Sequence, residues 1–475
     1  DESIPVEVET SALSGGENFI LLEAGTFHNC GLSSYGHIYC WGSDSSGQLG
    51  ENEDGDNLQE DTPSLVDTSE LTDLTGFISL ALGNWFSCGL AVNGKAYCWG
   101  GDQNGQLGEN SDGDNLPENI PVQVDNSALG SGVRFVSLTA GESHACGLSS
   151  EGKAYCWGKG FYEQLGNGNF VDQNIPTPVD LSNLPAGSRF VEIHAGGEFT
   201  CGLASDGKAY CWGRDNHGQL GENADGDNLD EPIPVAVDTS ALSTGTSFSS
   251  LVTGYAHACG LSSDGKAYCW GTDSNGQLGE NADGDNLDEN IPVEVDTSAF
   301  TAGSSFKSLA AGGGSHTCGL ASDGKAYCWG LDNKGQLGEN ADGDNLSESI
   351  PVAVDTSSLT PGSQFISLHL GGAHSCGIAS DGKAYCWGDD QYGQLGENAD
   401  SDNLDENIPV EVNSSVLGPG GSFTALSLGG GHTCGLSSSG KAYCWGANFF
   451  GQLGESPSGG NLKEDIPVEV DDSAL

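Results

Sequence analysis

Sixteen cysteines form eight pairs, and the two members of every pair are ten positions apart. Such pairs can form disulfides, bind a metal as thiolates or act as reactive thiols. Metal sites favour two to four residues between cysteines, whereas these pairs enclose nine, so disulfides are favoured. In the fifth pair the turn Ser263-Asp264-Gly265 lies midway and would place the cysteines opposite each other on neighbouring strands. The predicted disulfides are Cys30–Cys40, Cys88–Cys98, Cys146–Cys156, Cys201–Cys211, Cys259–Cys269, Cys318–Cys328, Cys376–Cys386 and Cys434–Cys444.

A dense acidic segment follows a Gly-Gln-Leu-Gly motif in six places. In the fifth copy it reads Asn-Ala-Asp-Gly-Asp-Asn at residues 281–286. Ca²⁺ prefers six to eight oxygen ligands from carboxylates, amides and carbonyls, so the segment predicts a calcium loop. The alternative is a solvated turn whose Asp and Asn side chains accept hydrogen bonds from backbone N–H groups. The candidate ligands are Asp54, Asp56, Asp112, Asp114, Asp225, Asp227, Asp283, Asp285, Asp342, Asp344, Asp400 and Asp402; the third and eighth copies lack this pair and are expected to bind no ion.

Six histidines precede the first cysteine of a pair by two positions, and Phe86 and Phe199 take the equivalent places in the other two copies. Equivalent positions of a radial repeat spread around an axis, and phenylalanine cannot bind a metal. The pattern therefore favours a structural hydrogen-bonding role over a transition-metal ring. The histidines are His28, His144, His257, His316, His374 and His432.

Nothing in the chain points to catalysis. It has no Gly-x-Ser-x-Gly motif and no phosphate-binding Gly-Lys-Ser/Thr loop, and the copies are too alike for one to carry unique catalytic residues. We therefore expect no enzyme and assign no catalytic residue. Function in repeat proteins lies where copies differ, which here is the loop after each Trp-Gly. Its aromatic residues are candidate contacts for a protein or glycan partner, or else local packing: Phe161, Tyr162, Tyr392, Phe449 and Phe450.

The copies recur with a spacing of 55 to 59 residues, and each contains four short segments rich in Val, Leu, Tyr and Cys, bounded by Gly, Asp, Asn and Ser. Four-stranded units repeated radially are typical of a β-propeller. We predict an all-β fold, one β-propeller of eight four-stranded repeats, with seven-bladed closure plus an extra unit as the alternative. The approximate units are 17–70, 71–128, 129–183, 184–241, 242–299, 300–358, 359–416 and 417–475, with residues 1–16 as a strand for closure or pairing between subunits.

A proline-containing strand, which reads Ile-Pro-Val in seven of its copies, occurs nine times for eight cysteine hairpins. The copies at residues 4–8 and 466–470 could both complete the same blade, and the excluded copy would be an extended strand with unpaired backbone. This surplus motivates a hypothesis of head-to-tail homo-oligomers joined through terminal strands. The alternative is that the extra segment lies along its own blade.

The order of Cys-Gly-Leu, Gly-Lys-Ala-Tyr-Cys-Trp-Gly, Gly-Gln-Leu-Gly and Pro-Val resembles the repeat of the regulator of chromosome condensation (RCC1-like) family along the whole chain. The resemblance implies a β-propeller, normally of seven blades, and a structural role for the recurring histidine. The paired cysteines make the chain similar to secreted bacterial members, which include inhibitors of secreted enzymes. The family's nuclear role is not expected here.

The chain has 14 Lys and Arg against 68 Asp and Glu, a formal net charge of −54. This charge would repel nucleic-acid phosphates and anionic membranes, so we expect no nucleic-acid partner. No apolar run is long enough for a membrane span. Disulfides persist outside the reducing cytosol, and a chain without Met that begins at Asp1 fits a mature secreted form. We expect an extracellular or cell-surface interaction module; the alternatives are a subunit of an extracellular filament or surface layer and a secreted enzyme inhibitor.

Overall fold

The computed structural model describes residues 16–51, 59–109, 115–222, 228–280, 286–339, 345–397, 404–455 and 463–470. These residues form eight four-stranded antiparallel sheets, and each sheet is contiguous in the sequence. Blades 1 to 4 contain β1 (Phe19–Ala24), β2 (His28–Ser33), β3 (Ile38–Gly42), β4 (Glu60–Leu65); β5 (Phe77–Leu82), β6 (Phe86–Ala91), β7 (Ala96–Gly100), β8 (Glu118–Gln123); β9 (Phe135–Ala140), β10 (His144–Ser149), β11 (Ala154–Gly158), β12 (Gln173–Pro178); β13 (Phe190–Ala195), β14 (Phe199–Ala204), β15 (Ala209–Gly213), β16 (Glu231–Ala236).

Blades 5 to 8 repeat the same order. They contain β17 (Phe248–Thr253), β18 (His257–Ser262), β19 (Ala267–Gly271), β20 (Glu289–Glu294); β21 (Phe306–Ala311), β22 (His316–Ala321), β23 (Ala326–Gly330), β24 (Glu348–Ala353); β25 (Phe365–Leu370), β26 (His374–Ala379), β27 (Ala384–Gly388), β28 (Glu406–Glu411); β29 (Phe423–Leu428), β30 (His432–Ser437), β31 (Ala442–Ala447), β32 (Lys463–Glu469). The helix found among the described residues is a three-residue 3₁₀ turn, Ser415–Leu417, and no described helix is long and apolar enough to span a membrane.

The cysteine hairpin folds as its sequence predicts. In blade 5, Cys259 pairs directly with Cys269 across β18 and β19, and their Cα atoms are 4.1 Å apart. Gly265 has φ +82°, the left-handed conformation that the three-residue turn requires and that glycine adopts at little cost. All 16 cysteines are joined in the eight predicted disulfides, and each bond stabilises the fold by about 2–3 kcal/mol.

The apolar core lies between the blades rather than within them. From blade 2, Phe77, Tyr97 and Trp99 pack against the buried disulfide Cys30–Cys40 of blade 1. Seven further clusters of this kind join each blade to the next, and one of them joins blade 8 to blade 1. The sequence prediction of eight blades is therefore confirmed, and the seven-bladed alternative is wrong, because every unit fills one position in a closed ring.

A buried polar network also crosses the junctions between blades. The carbonyl oxygen of Gln48 in blade 1 accepts hydrogen bonds from Trp99 Nε1 and Ser87 Oγ of blade 2, both at 2.9 Å. His28 Nε2 lies 2.9 Å from the same Ser87 hydroxyl. Because the hydroxyl donates its proton to Gln48, His28 must be the donor to Ser87. Buried polar groups that are paired in this way fix the angle between neighbouring blades.

The junction from blade 8 to blade 1 uses an asparagine where most other junctions use a hydroxyl. Asn29 Nδ2 donates to Gln452 O at 2.7 Å, and Asn29 Oδ1 lies 2.8 Å from His432 Nε2. Trp41 Nε1 completes the pattern by donating to Gln452 O at 3.0 Å. The fourth strand of blade 8 is β32, the C-terminal copy of the surplus strand, whereas the N-terminal copy at residues 4–8 lies outside the described residues.

Candidate interaction site

Two sets of loops form one end of the ring, which we call the loop face. They are the turns between the first and second strands of each blade and the longer loops between the third and fourth strands. The opposite end, the turn face, is formed by the cysteine hairpin turns and the connections between blades. Every residue that the sequence singled out as a partner contact follows a third strand and therefore lies on the loop face.

A common frame holds the long loops. In blade 1 the buried Asp44 accepts a hydrogen bond through Oδ1 from Leu49 N at 2.9 Å, and Gln48 Oε1 accepts one from Ser46 N at 2.8 Å. Buried Asp and Gln side chains thus replace the backbone partners that a tight loop lacks. The same Asp and Gln hydrogen bonds recur in most blades, so the loop residues between the Asp and the Gln can vary without changing the fold.

Among the described residues of these loops, the two most exposed large apolar side chains belong to blade 3. Phe161 and Phe170 are 67% and 68% exposed, and Val171 is also exposed. The two ends of the loop lie together, because Gly160 N donates to Asp172 Oδ1 at 2.8 Å and a Cβ at Gly160 would lie 2.4 Å from Val171 O. Exposed aromatic side chains held on a fixed loop are typical anchors for a protein partner. We call Phe161, Tyr162, Phe170 and Val171 the blade 3 patch.

Two cations fix the ring of Tyr162 at the edge of this patch. Lys159 Nζ and Arg214 Cζ lie 4.8 and 4.6 Å from the ring centroid. Both cations also pair with Glu198, Lys159 at 2.7 Å and Arg214 through an ion pair. Cation–ring contacts and a shared carboxylate hold the side chain in one place, so ordering it would cost little entropy if this surface bound a partner.

A cleft of about 200 Å³ opens beside the blade 3 patch, between blades 4 and 5. His217 in this cleft pairs through Nδ1 with Asp288 Oδ2 at 2.6 Å. Tyr255 rises from the first turn of blade 5 and is exposed at the cleft. The lining residues are Glu198, Arg214, Asn216, His217, Gln219, Tyr255 and Ala256. An aromatic patch beside a polar cleft is a combination that suits a protein side chain entering from solvent.

The loop of blade 8 belongs to a second group of aromatic residues in mutual contact. We call this group the aromatic row; it consists of Tyr392, Phe449, Phe450, Phe27 and Trp85. Tyr392 of blade 7 lies edge-to-face with Phe449 at 5.0 Å between ring centroids. Phe450 contacts Phe27 of blade 1 at 5.5 Å, and Phe27 stacks on Trp85 of blade 2 at 5.0 Å. The row thus runs across blades 7, 8, 1 and 2, two on each side of the junction between blade 8 and blade 1.

The five aromatic residues predicted from the sequence fall into these two groups. Phe161 and Tyr162 contact each other in blade 3, and Tyr392, Phe449 and Phe450 lie in the aromatic row. Sequence reasoning missed the residues that complete the groups: Phe27, Trp85, Phe170, Val171 and Tyr255. The sequence did contain one signal for this group, because Trp85 is the one tryptophan of nine that lies outside a Cys-Trp-Gly motif.

The buried histidines belong to the junctions between blades and not to a site. Each lies 2.8–3.1 Å from a Ser, Thr or Asn side chain of the following blade. Where the histidine is replaced by Phe86 or Phe199, the following blade has Ala145 or Ala258 at the partner position. The two substitutions remove both halves of one hydrogen bond, so neither side is left unpaired.

Burial keeps these histidines neutral. It lowers the pKa of five of them to about 4 and that of the sixth to about 3: His28, His144, His257, His316, His432 and, lowest, His374. In five of them, all except His257, the Nδ1 atom is buried without a hydrogen-bond partner, so a second proton on those rings would have no acceptor.

The predicted calcium ligands Asp54, Asp56, Asp112, Asp114, Asp225, Asp227, Asp283, Asp285, Asp342, Asp344, Asp400 and Asp402 all lie outside the described residues. Within the part of the chain that the structure describes, no three His, Cys, Asp or Glu side chains form a group that could hold a metal ion. The calcium loops therefore stay a prediction.

Comparison with known proteins identifies the repeat. A family model described as an RCC1-like domain matches residues 1–313, and the regulator of chromosome condensation (RCC1) repeat matches segments between residues 306 and 452. The Ultraviolet-B receptor UVR8 of Arabidopsis thaliana is 31% identical over 85% of this chain and 83% of its own length. Protein pim1 of Schizosaccharomyces pombe is 26% identical over 82% of this chain and 74% of its own length.

Two solved structures share the fold. Human WBSCR16 superposes with a TM-score of 0.64 at 19% identity, covering 85% of this chain and 100% of that one. Prp20p of Saccharomyces cerevisiae has a TM-score of 0.61 at 22% identity, covering 87% of this chain and 91% of that one, and its structure was described together with binding to Gsp1p and histones.

Proposed function

Because the chain belongs to the regulator of chromosome condensation (RCC1) family of repeat propellers, we propose that it is a secreted binding module that holds a protein partner through the blade 3 patch. The observation that carries this proposal is the exposure of Phe161 and Phe170 on the loop face. Large apolar side chains that are this exposed and held on a fixed loop are costly to leave in water, and a partner surface would bury them.

Electrostatics favour this place on the loop face over the others. Blade 3 lacks the paired aspartates that six blades carry after Gly-Gln-Leu-Gly. In a chain of net charge −54, a partner with any acidic surface would be repelled over most of this face. Lys159 and Arg214 lie on the loop face beside the patch and pair with Glu198, so negative charge next to the patch is partly offset.

The relatives support protein binding as a mode of action. Prp20p was described with its binding to Gsp1p and histones, and the same yeast protein was solved bound to Kap60. Each of those partners is a protein. For this chain we propose a protein partner rather than a glycan one, while the identity of the partner is left to experiment.

Capture of a partner from the culture medium of the source organism tests the proposal. The full chain with Phe161→Ser and Phe170→Ser should lose a protein that the unmodified chain enriches, because both anchors leave the interface. Truncating an anchor side chain costs about 2 kcal/mol or more, which is roughly a thirtyfold loss of affinity. Quantitative mass spectrometry of the captured proteins measures the loss.

The matched control is Tyr35→Ser, which removes an exposed aromatic residue from the turn face. It should capture the same protein as the unmodified chain. Equal capture by all three chains would contradict the blade 3 patch as the binding surface, and Phe449→Ser with Phe450→Ser would then test the aromatic row.

Location outside the cell is part of the proposal. Eight disulfides account for every cysteine, and bonds of this number form in oxidising compartments. The binding role needs no catalysis, and the absence of enzymatic activity stays a prediction.

We also propose that the acidic loops of six blades bind Ca²⁺. Support comes from the repeat itself, because a pair of aspartates recurs at the same place after Gly-Gln-Leu-Gly in six copies. Carboxylates are ligands that Ca²⁺ prefers, and bound Ca²⁺ would offset their mutual repulsion in a chain of net charge −54.

Calorimetry with Ca²⁺ should then show about six ions per chain, and a chelator should lower the melting temperature. Each site stabilises the fold by about 2.7 kcal/mol at one hundred times its dissociation constant. Replacing Asp283 and Asp285 by Asn should reduce the stoichiometry by one. No binding heat and an unchanged melting temperature would reject the calcium loops.

A further inference from the structure

The fourth strand of blade 8 occupies a slot for which the chain carries two matching sequences. Residues 466–475 read Ile-Pro-Val-Glu-Val-Asp-Asp-Ser-Ala-Leu, and residues 4–13 read Ile-Pro-Val-Glu-Val-Glu-Thr-Ser-Ala-Leu. The copies therefore differ only at their sixth and seventh positions. The structure describes residues 466–470 of the C-terminal copy and places them in the slot at the end of β32, which pairs with β31.

The contacts of β32 show what the slot requires of its occupant. Val470 is 1% exposed, packs in the core between blades 8 and 1, and donates through its N–H to Ala442 O at 2.9 Å. Pro467 is buried, and Glu469 forms an ion pair with Lys441. Each of these groups has an identical counterpart in the N-terminal copy: Pro5, Glu7 and Val8.

The N-terminal copy is also at the correct distance from blade 1. Ile4 precedes Phe19, the first residue of β1, by 15 positions. In blade 7 the same Ile-Pro-Val motif begins at Ile408, within β28, and precedes Phe423, the first residue of β29, by 15 positions as well. Residues 4–18 therefore have the length and sequence of a normal connection from the fourth strand of one blade to the first strand of the next.

We propose that the slot of blade 8 accepts residues 4–13 as a second occupant, in exchange with residues 466–475. Within residues 1–475, two matching strands compete for this one slot. A surplus strand has unpaired backbone groups and can enter the same slot in a second copy of this chain. Whether exchange occurs within one molecule or between two is set by the effective concentration of the tethered strand.

Charge substitutions at the two equivalent valines test the exchange. Val470→Asp alone should lower the melting temperature by less than about 2 °C, because the N-terminal copy replaces the damaged strand. Val8→Asp alone should change little, since β32 already fills the slot. Both changes together leave no intact occupant and should lower the melting temperature by about 10 °C or more, because an unpaired charge is then buried.

Blade 7 supplies the matched control. Val412 ends the same Ile-Pro-Val-Glu-Val sequence, is also 1% exposed and also donates to the backbone of the preceding strand, at Ala384 O and 3.0 Å. The strand that contains Val412 has no duplicate at a chain terminus that could take its place. Val412→Asp alone should therefore lower the melting temperature as much as the double change in blade 8. If a charge prevents folding, the same series with Thr in place of Asp should keep this order at smaller amplitude.

A single Val470→Asp change that costs as much as Val412→Asp would overturn the proposal, as would a double change no worse than Val470→Asp alone. Size measurement by light scattering at increasing concentration locates the donor strand. Oligomers that disappear with Val8→Asp indicate donation to a second copy, whereas monomers that follow the same mutational order indicate donation within one chain. Both results support residues 4–13 as an occupant of the slot.

Discussion

Blade 3 and blade 8 depart from the repeat at the same loop, and both gain aromatic residues where they lose paired aspartates. They hold these residues differently. Blade 8 keeps the loop frame, with Asn448 Oδ1 accepting from Leu453 N at 3.1 Å in place of the usual aspartate. Blade 3 lacks this hydrogen bond, because Gly160 takes the position of the aspartate. Instead, Asp172 at the far end of the loop accepts a hydrogen bond from Gly160 N.

The consequence of this difference is seen in exposure. Phe449 and Phe450 are 41% and 39% exposed, because their rings pack on Tyr392 and Phe27 of the neighbouring blades. Phe161 and Phe170 are about two-thirds exposed. The aromatic row therefore contributes to the junctions of blades 7, 8, 1 and 2, whereas the described residues of the blade 3 patch leave more of their aromatic area exposed to solvent.

The junctions that follow the two blades give the largest expected difference. Asn29→Ala removes two hydrogen bonds at the junction from blade 8 to blade 1, those with Gln452 O and His432 Nε2. It also leaves the buried His432 unpaired, so the free energy of unfolding should fall by about 2–4 kcal/mol. Thr200→Ala at the junction from blade 3 to blade 4 removes the equivalent two hydrogen bonds, those with His144 Nε2 and Gln164 O. These are longer, at 3.0 and 3.1 Å against 2.8 and 2.7 Å for Asn29, so a smaller loss of about 1–2 kcal/mol is expected.

Denaturant unfolding with the disulfides intact measures both losses. The control comes from the chain itself, because the natural combination of Phe86 with Ala145 has neither donor nor acceptor. Adding His144→Phe to Thr200→Ala should therefore recover part of the loss. Equal costs for Asn29→Ala and Thr200→Ala would show that the closing junction is no different from the others.

The junction chemistry also shows how far the sequence reaches. The eight blades, the disulfide register and the structural role of the histidines were predictable, because each depends on contacts within one repeat or between identical repeats. The pairing of Phe27 with Phe450, and of Trp85 with Phe27, was not, since it depends on which turn of one blade meets which loop of another. Phe86 replaces the histidine of blade 2, and Ala145 replaces its hydroxyl partner in blade 3. This paired replacement could be found in the sequence, but only by comparing each blade with the one that follows it.

A pH-dependent difference of intermediate size is expected at the start of the two loops. Blade 8 has Glu455 where blade 3 has Asn167. Burial, with Glu464 and Asp61 nearby, raises the pKa of Glu455 to about 7 from its usual value of 4.5. The unfolded chain releases this proton at lower pH than the folded chain, so the carboxyl group lowers stability progressively as pH rises from about 4.5 to about 7.

Glu455→Gln should therefore raise the free energy of unfolding by on the order of 1 kcal/mol at pH 8, reduced by partial solvent exposure, and should have no effect at pH 4.5. Thermal melting at the two pH values measures the change. Gln retains the acceptor for Asn448 Nδ2, so the comparison isolates the charge. A gain of equal size at both pH values would assign the effect to packing instead.

The smallest expected effect lies in the backbone of blade 3. Glu163 has φ +65° at the position where the other loops have glycine, such as Gly218 at +74° and Gly451 at +76°. A side chain in this left-handed conformation costs about 1 kcal/mol or slightly more, whereas glycine adopts it freely. Glu163→Gly should therefore raise the free energy of unfolding by about 1 kcal/mol in denaturant titration.

Glu163 is two residues from Phe161, and glycine would loosen the loop that holds the blade 3 patch, so weaker partner capture should accompany the gain. Higher stability with undiminished capture would mean that the strain does not help to position Phe161.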